Sequence, residues 1–134
     1  MKNIKLSAAI ATYNEEENIG ECLESVKDLV DEIIIVDGSS EDNTIEIAKQ
    51  YNAKVTITDN HPNFHINKQK SFDLATGDWI LYLDADERVT PKLTLEIKEK
   101  IYNVDDIKGY WIPRKNYFLG RFLTAPGLQA IYSA

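Results

Sequence analysis

The chain has 134 residues, of which 43% are hydrophobic and 28% charged, and this size and composition predict one globular domain rather than a disordered or fibrous protein. The net charge of −7 argues against nucleic-acid binding, because that usually requires a basic surface against the phosphate backbone. A single cysteine excludes an internal disulfide framework, and no window has the length of a membrane span, so we expect a cytoplasmic protein.

The first half of the chain alternates apolar strands with amphipathic helices. Residues 6–11 are apolar and small, which is typical of a strand buried on both faces. Asn14 is a favourable N-cap with Glu17 in capping-box register, so a helix is predicted to begin there. The next predicted elements are a strand at 33–36, a helix at 42–51 and a strand at 55–58.

The second half continues the same alternation. Residues 66–75 form a weakly predicted helix, and Gly77 is placed like its C-terminal cap. A strand at 79–83 runs into an acidic segment, and Thr90 and Pro91 mark the start of another helix. The remaining predicted element is a strand at 110–112, with Pro113 favouring a sheet edge, and the pattern fails beyond it.

Strands that alternate with helices predict an α/β fold with a doubly wound, mostly parallel sheet and helices on both faces. In such sheets ligands bind beyond the carboxyl ends of the strands, where the winding reverses. The residues predicted at that rim are 12–14, 37–40, 59–60 and 84–86. If the first strand lies between the second and the fourth, Asp37 and Asp84 flank Tyr13 across a nucleotide-sized crevice.

Asp84 and Asp86 are the candidate metal ligands. In an extended segment both carboxylates point to one side while Ala85 points away. Such hard oxygen ligands suit Mg²⁺ or Mn²⁺, which bind through one or two carboxylates together with phosphate oxygens. An Asp-x-Asp tripeptide alone is more often a solvated acidic turn, but its place after an apolar strand, beside the Asp37 turn and Tyr13, favours the metal site.

Four motifs carry a family resemblance in order and spacing: ATYNEE at 11–16, DGSSEDNT at 37–44, ATGDW at 75–79 and LDADER at 83–88. Over roughly residues 1–122 the chain resembles inverting glycosyltransferases of family 2, which have the GT-A fold. The string at 84–88 and PRKNYFLGR at 113–121 resemble the branch that adds sugars to the lipopolysaccharide core. The resemblance implies a nucleotide-sugar donor, a divalent metal, and a glycan or lipid-linked acceptor.

The resemblance also implies roles for individual residues. The donor-binding residues are Thr12, Tyr13, Glu15, Asp37, Lys68, Asp84 and Ala85, and the metal ligands are Asp84 and Asp86. Of these, Thr12, Tyr13 and Glu15 would border the nucleotide base. Asp37 would contact the base or ribose, although a helix cap formed with Ser40 is nearly as well supported. Lys68 stands where the family often has Arg-Asn and would contact the diphosphate, with a solvated lysine as an equal alternative.

Residues 1–122 are predicted to form the nucleotide-sugar-binding part of the fold, and 123–134 an atypical tail. Family members continue for about another hundred residues, which supply the acceptor site and the base that deprotonates the acceptor. The catalytic base is therefore predicted to be absent, since Glu87 is better explained by a salt bridge with Arg88 or Lys92. A donor-binding module without transferase activity remains the alternative to an enzyme.

Residues 108–122 mix basic and aromatic side chains. This composition suits a lipid-linked acceptor at the inner face of a membrane, or an interrupted core whose apolar surface favours self-association into a homo-oligomer.

Two other function classes fit poorly. A phosphoacceptor receiver domain needs paired acids after the first strand, and a dinucleotide oxidoreductase needs G-x-G-x-x-G there; neither pattern is present.

Overall fold

A computed structural model describes residues 3–60, 62–102, 106–118 and 121–133. Strands and helices alternate through most of this part of the chain, and two consecutive strands follow the last helix. The elements are β1 Leu6–Thr12, α1 Ile19–Val26, β2 Glu32–Asp37, α2 Thr44–Gln50, β3 Lys54–Ile57, α3 Phe64–Leu74, β4 Trp79–Asp84, α4 Pro91–Tyr102, β5 Gly109–Phe118 and β6 Arg121–Ser133.

The strands form one sheet in the order β3-β2-β1-β4-β6-β5. The first four strands are parallel, and β6 pairs antiparallel with both β4 and β5. The predicted parallel α/β sheet is confirmed, and so is the position of β1 between β2 and β4. The parallel part reverses its winding at β1, which places a ligand-binding crevice at the carboxyl ends of β1, β2 and β4.

Burial explains why β1 and β2 read as continuous apolar runs. Every residue of both strands is buried, as is expected of central parallel strands. The first helix buries one face, because Ile19, Leu23 and Val26 of α1 are fully enclosed in the core. Burying each such side chain contributes roughly 1.5–3 kcal/mol relative to leaving it exposed.

The predicted start of the first helix is wrong. The helix begins at Ile19, and Asn14 lies in the preceding loop with a φ of 50°, a conformation that asparagine tolerates better than most residues. The Asn14 side chain accepts a hydrogen bond from the Glu41 backbone N–H at 2.9 Å instead of capping its own helix. The residue therefore joins two loops.

Glu32 anchors the amino ends of the strands, at the opposite end of the sheet from the crevice. Its carboxylate accepts hydrogen bonds from Ser7 Oγ at 2.6 Å, from the Thr76 backbone N–H at 2.6 Å and from Lys54 Nζ at 3.0 Å. Burial by itself would raise the pKa of Glu32, but these hydrogen bonds outweigh it and lower the pKa to about 2. The carboxylate thus joins β1, β2 and the connection into β4.

Gly77 is not the helix cap that the sequence suggests. Helix α3 ends at Leu74, and Gly77 instead packs against β1, where its N–H donates to Ser7 Oγ at 2.9 Å. A Cβ at Gly77 would lie 2.5 Å from Ser7 Oγ and 2.9 Å from the Lys5 carbonyl oxygen. Close backbone approach therefore requires glycine at this position.

The Gly77→Ala substitution is expected to lower the free energy of unfolding by about 3 kcal/mol, because the added methyl group has no room against the β1 backbone. Urea denaturation followed by circular dichroism measures the change. Gly20→Ala is the matched control: its methyl group would meet Ile47 Cγ2 at an ordinary 3.6 Å. In helix α1 that change should stabilise the protein by about 0.5 kcal/mol. Equal effects at the two glycines would contradict this packing argument.

The end of the chain is more regular than its sequence pattern indicates. The strand predicted at 110–112 is part of β5, which lies at a sheet edge as Pro113 suggested. Residues 121–133, for which no element was predicted, form β6 between β4 and β5, and Ile131 is buried opposite Leu81. No helix within the described residues is both long and apolar enough to cross a membrane.

Candidate functional site

The carboxyl ends of β1, β2 and β4 form a rim, defined here as residues 12–15, 37–40 and 84–87. Strand register places Thr12 beside Asp37, and Ala11 beside Asp84. The rim therefore brings together the loops that carry Tyr13, Asp37 and Asp84. Tyr13 is 40% exposed and lies in the loop directly after β1, the strand between the two that end in aspartates.

Asp37 and Thr12 are enclosed. The Asp37 carboxylate accepts hydrogen bonds from Thr12 Oγ1 at 2.6 Å, from the Ser40 backbone N–H at 2.7 Å and from Ser40 Oγ at 2.7 Å. Neither Asp37 nor Thr12 is more than 2% exposed. In this structure their side chains thus hold the turn after β2 in shape. Asp37 does bond to Ser40, but it does not cap a helix, because α2 begins only at Thr44 with Asn43 as its N-cap.

The loops after β1 and β2 are joined by reciprocal hydrogen bonds. The Asn14 side chain accepts from the Glu41 N–H, and the Glu16 carboxylate accepts from the Asn43 N–H at 3.0 Å. In addition, the Glu15 N–H donates to Thr44 Oγ1 at 2.8 Å. The sequence analysis missed this linkage, although the dense run of Asp, Asn, Ser and Thr in 37–44 was a signal of side-chain to backbone bonding.

Residues 84–87 form a turn rather than the predicted extended segment. The Glu87 N–H donates to the Asp84 carbonyl oxygen at 2.9 Å, and the Asp84 N–H donates to a Glu87 carboxylate oxygen at 2.8 Å. Ala85 packs into the core and Asp86 is exposed. The alternation argument for Asp84 and Asp86 is therefore wrong, because the chain bends after Asp84 and strand periodicity does not extend through Asp86.

Two cationic side chains face Asp84. Lys68 Nζ of α3 lies 2.6 Å from Asp84 Oδ1, and Arg114 Nη1 of β5 lies 3.8 Å from Asp84 Oδ2. Lys68 is only 18% exposed, so the alternative of a solvated lysine on the helix face is wrong. Arg114 was not among the predicted site residues, because 45 intervening residues and an unpredicted strand pairing separate it from Lys68.

Glu87 has a different partner from those expected. Its carboxylate lies 3.6 Å from Arg114 Nη1, whereas Arg88 pairs with Glu21. Burial raises the pKa of Glu87 above its usual value, and the nearby charges of Asp84 and Asp86 act in the same direction. The Asp84 N–H and the Arg114 guanidinium oppose the rise.

Cys22 lies beneath this acidic turn but is not a reactive group. Burial, assisted by the charges of Glu87 and Asp86, raises the pKa of its thiol to about 12. A thiol held in that state is a poor nucleophile and a poor metal ligand. Cys22 is therefore a small buried residue of the core.

The residues after β4 are chemically suited to a divalent cation, although no group of three or more His, Cys, Asp or Glu side chains within the described ranges is arranged to hold one. Mg²⁺ and Mn²⁺ commonly use one or two protein carboxylates plus phosphate oxygens, so Asp84 and Asp86 would suffice with a diphosphate present. Asp84 Oδ1 is shielded from solvent. It has the Lys68 ion pair but no directed hydrogen bond from any residue that the structure describes, which leaves a lone pair for a metal.

Comparison with known proteins identifies the family. The family description Glycosyl transferase family 2 matches residues 7–127, which is most of the chain. The chain belongs to glycosyl transferase family 2. Family membership covers all three loops of the rim together with α3 and β5, so Lys68 and Arg114 also lie inside the matched region.

The chain is similar to longer family 2 proteins. It is 42% identical over 134 residues to an uncharacterized glycosyltransferase of Rickettsia bellii, an alignment that covers 96% of this chain and 44% of that protein. The chain thus spans less than half the length of the curated relatives it matches first.

Solved structures confirm the predicted GT-A fold. S. aureus TarS in complex with UDP matches with a TM-score of 0.59 at 25% identity, covering 75% of this chain and 32% of that one. The mannosyltransferase PcManGT from Pyrobaculum calidifontis, in complex with GDP-Man and Mn²⁺, matches with a TM-score of 0.67 at 19% identity, covering 81% of this chain and 35% of that one.

Proposed function

We propose that the rim binds the nucleotide-sugar donor of a glycosyltransferase, and that the protein containing this domain transfers the sugar to an acceptor hydroxyl. The observation that carries the proposal is the meeting of three loops at the carboxyl ends of β1, β2 and β4, with Asp84 lying between two cationic side chains. Family 2 membership supports glycosyl transfer as the reaction class.

The chemistry of this transfer is the departure of a nucleoside diphosphate from the anomeric carbon. Asp84 and Asp86 would hold a divalent cation, which when bound supplies positive charge for the leaving diphosphate. Lys68 is fixed beside Asp84, where its ammonium group would contact a phosphate oxygen of the donor. These residues orient the donor and balance its charge, and attack by the acceptor oxygen from the opposite face would invert the anomeric centre.

Tyr13 is the side chain best placed to contact the nucleotide base, because its aromatic ring is partly exposed while Thr12 and Asp37 are enclosed beneath it. In this proposal Thr12 and Asp37 support the loop that carries Tyr13. Glu15, in the same loop between β1 and α1, borders the base.

Replacing Tyr13 with alanine should weaken nucleoside diphosphate binding about tenfold, since stacking of a base on an aromatic ring contributes about 1–3 kcal/mol. Isothermal titration calorimetry measures the affinity, and Tyr13→Phe should retain it because the ring remains. Tyr102→Ala is a control, since Tyr102 is also an exposed tyrosine, 53% accessible and on α4. If Tyr13→Phe loses as much affinity as Tyr13→Ala, stacking is not the source.

The acceptor is proposed to be a sugar of the lipopolysaccharide core or another lipid-linked glycan. Support comes from the motif resemblance at 113–121 and from basic and aromatic residues on β5, where Trp111 is 68% exposed and Lys115 is exposed. Such a surface suits contact with anionic lipid at the inner face of a membrane, and its apolar members would also serve self-association.

A panel of nucleoside diphosphates with and without Mn²⁺ tests the proposal through thermal unfolding. A ligand present at 100 times its Kd stabilises the folded protein by about 2.7 kcal/mol, which gives a clear rise in Tm. We expect at least one of UDP, GDP, ADP, CDP and dTDP to raise Tm much more with Mn²⁺ than without it. If all five fail with Mn²⁺, the donor-site proposal is wrong.

The second candidate is a donor-binding module that does not catalyse transfer. It is the alternative that the sequence left open, because no residue of the chain was assigned as the catalytic base. Incubation with the matching nucleotide sugar separates the two candidates. Release of the nucleoside diphosphate, through transfer or hydrolysis, indicates an enzyme, whereas metal-dependent binding without turnover indicates the module.

A further inference from the structure

We propose that Arg114 is a further positioning residue of the donor site, one that competes with the divalent cation for Asp84 and then binds the donor's diphosphate. The inference rests on the proposed function, since it assumes that Asp84 and Asp86 hold a metal. Arg114 lies on β5, outside the four motifs that carry the family resemblance, and it reaches the rim only because β6 places β5 in the sheet.

The contacts of Arg114 are long for ion pairs. Its Nη1 lies 3.8 Å from Asp84 and 3.6 Å from Glu87, beyond the distance of a charge-assisted hydrogen bond. Its Nε is shielded from solvent and has no hydrogen-bond partner among the described residues. A guanidinium carries five donors in a planar fork that matches phosphate oxygens, so Arg114, with Nη1 beside Asp84 and Glu87, retains donor capacity close to the rim.

Lys68 and Arg114 differ in how firmly they are held. Lys68 Nζ lies 4.7 Å from the centre of the Phe64 ring and 5.1 Å from that of Tyr82, in addition to its 2.6 Å contact with Asp84. Within the described part of the chain, the ion pairs of Arg114 are the two long contacts with Asp84 and Glu87, and its side chain is 36% exposed. Lys68 therefore stays in place when the charge at Asp84 changes, and Arg114 is the group free to turn.

The positive charge of Arg114 affects the binding of the divalent cation and of the diphosphate in opposite directions. A guanidinium 3.8 Å from Asp84 repels a divalent cation that approaches the same carboxylate, so Arg114 weakens metal binding when no diphosphate is present. The diphosphate must approach a metal at Asp84, and that path brings its oxygens within reach of the same guanidinium. Arg114 then strengthens anion binding.

The test uses the 134-residue chain with two probes that need no knowledge of the nucleobase. In the first experiment Mn²⁺ is titrated alone, and the unbound Mn²⁺ is measured by electron paramagnetic resonance. In the second, the chain is saturated with Mn²⁺ and inorganic pyrophosphate is titrated by calorimetry. Arg114→Met should tighten Mn²⁺ binding about fivefold and weaken pyrophosphate binding about tenfold. Arg114→Lys should keep the weaker Mn²⁺ affinity of the original chain, because the positive charge remains. It should not keep the pyrophosphate affinity, because an ammonium lacks the planar fork.

Lys98→Met is the matched control, since it removes the same charge from an exposed position on α4 and should change neither affinity. If Arg114 had a purely structural role, Arg114→Met would weaken the binding of both Mn²⁺ and pyrophosphate. That result, or no change in either affinity, overturns the inference. A different result would overturn the proposed function itself: the unsubstituted chain would bind Mn²⁺ no more tightly than the Asp86→Ala variant does. Thermal unfolding of each variant shows that it is folded.

Discussion

Replacing Asp86 with alanine is expected to abolish the metal-dependent part of nucleoside diphosphate binding. The loss should be on the order of 100-fold or more, because even residues behind a metal ligand commonly change metal affinity by 10- to 100-fold. Asp86 is exposed and Ala85 anchors the turn in the core, so the substitution removes a carboxylate without disturbing packing. Calorimetric titration of the diphosphate that binds most tightly, with and without Mn²⁺, measures the effect.

Glu96→Ala controls for the general loss of one negative charge, since Glu96 is exposed on α4. It should leave both affinities unchanged. Weak binding in the absence of Mn²⁺ should survive Asp86→Ala, because Tyr13 and Lys68 remain. Undiminished Mn²⁺-dependent affinity in Asp86→Ala would refute the assignment of this carboxylate as a metal ligand.

Glu32→Gln is expected to lower the free energy of unfolding at pH 7 by roughly 3 kcal/mol. The value follows from the fall in the pKa of Glu32 from its ordinary 4.5 to about 2, at about 1.4 kcal/mol per unit. The carboxylate is buried and bonded to Ser7, Thr76 and Lys54, so its charged form is the one that the fold stabilises. Glutamine is a neutral group of the same shape.

The pH dependence has a definite sign. Because the pKa of Glu32 is lower in the folded chain than in the unfolded chain, its contribution is complete above pH 4.5 and is lost as the pH falls toward 2. The stability difference between the original chain and Glu32→Gln should therefore shrink across that window. Other carboxylates titrate equally in both proteins and cancel in the difference.

Urea denaturation at several pH values from 2 to 7 measures this difference, with Glu96→Gln as the control for an exposed glutamate. A difference that stays constant from pH 7 to pH 2 would show that the hydrogen-bonded charge is not its origin.

The parallel half of the fold could be predicted from sequence because its signals are local. Apolar runs at β1, β2 and β4 and the stripe on α1 follow directly from burial, and Thr90 does accept the Leu93 N–H at 3.2 Å at the start of α4. Alternation of elements indicated a parallel sheet, whereas the place of β1 between β2 and β4 was only assumed and is supplied by the structure. The positions of Tyr13, Asp37 and Asp84 at one rim then followed from the general rule for such sheets.

What sequence could not show depends on long-range contacts. Asn14 is chemically a good N-cap, but its bond to the loop after β2 determines its conformation. Gly77 looks like a helix terminator, and only the approach of β1 reveals why it must be glycine. Arg114 reaches Asp84 through the pairing of β5 with β6 and of β6 with β4, and no local pattern indicates pairing of that kind.

The reciprocal bonding of the loops after β1 and β2 has a consequence for ligand entry. Because Asn14 bonds to Glu41 and Glu16 bonds to Asn43, neither loop can rearrange without the other. A base that stacks on Tyr13 therefore meets a surface whose shape is already set. Little conformational entropy remains to be lost on that side of the crevice, and preorganisation of this kind favours affinity and discrimination among bases over adaptability.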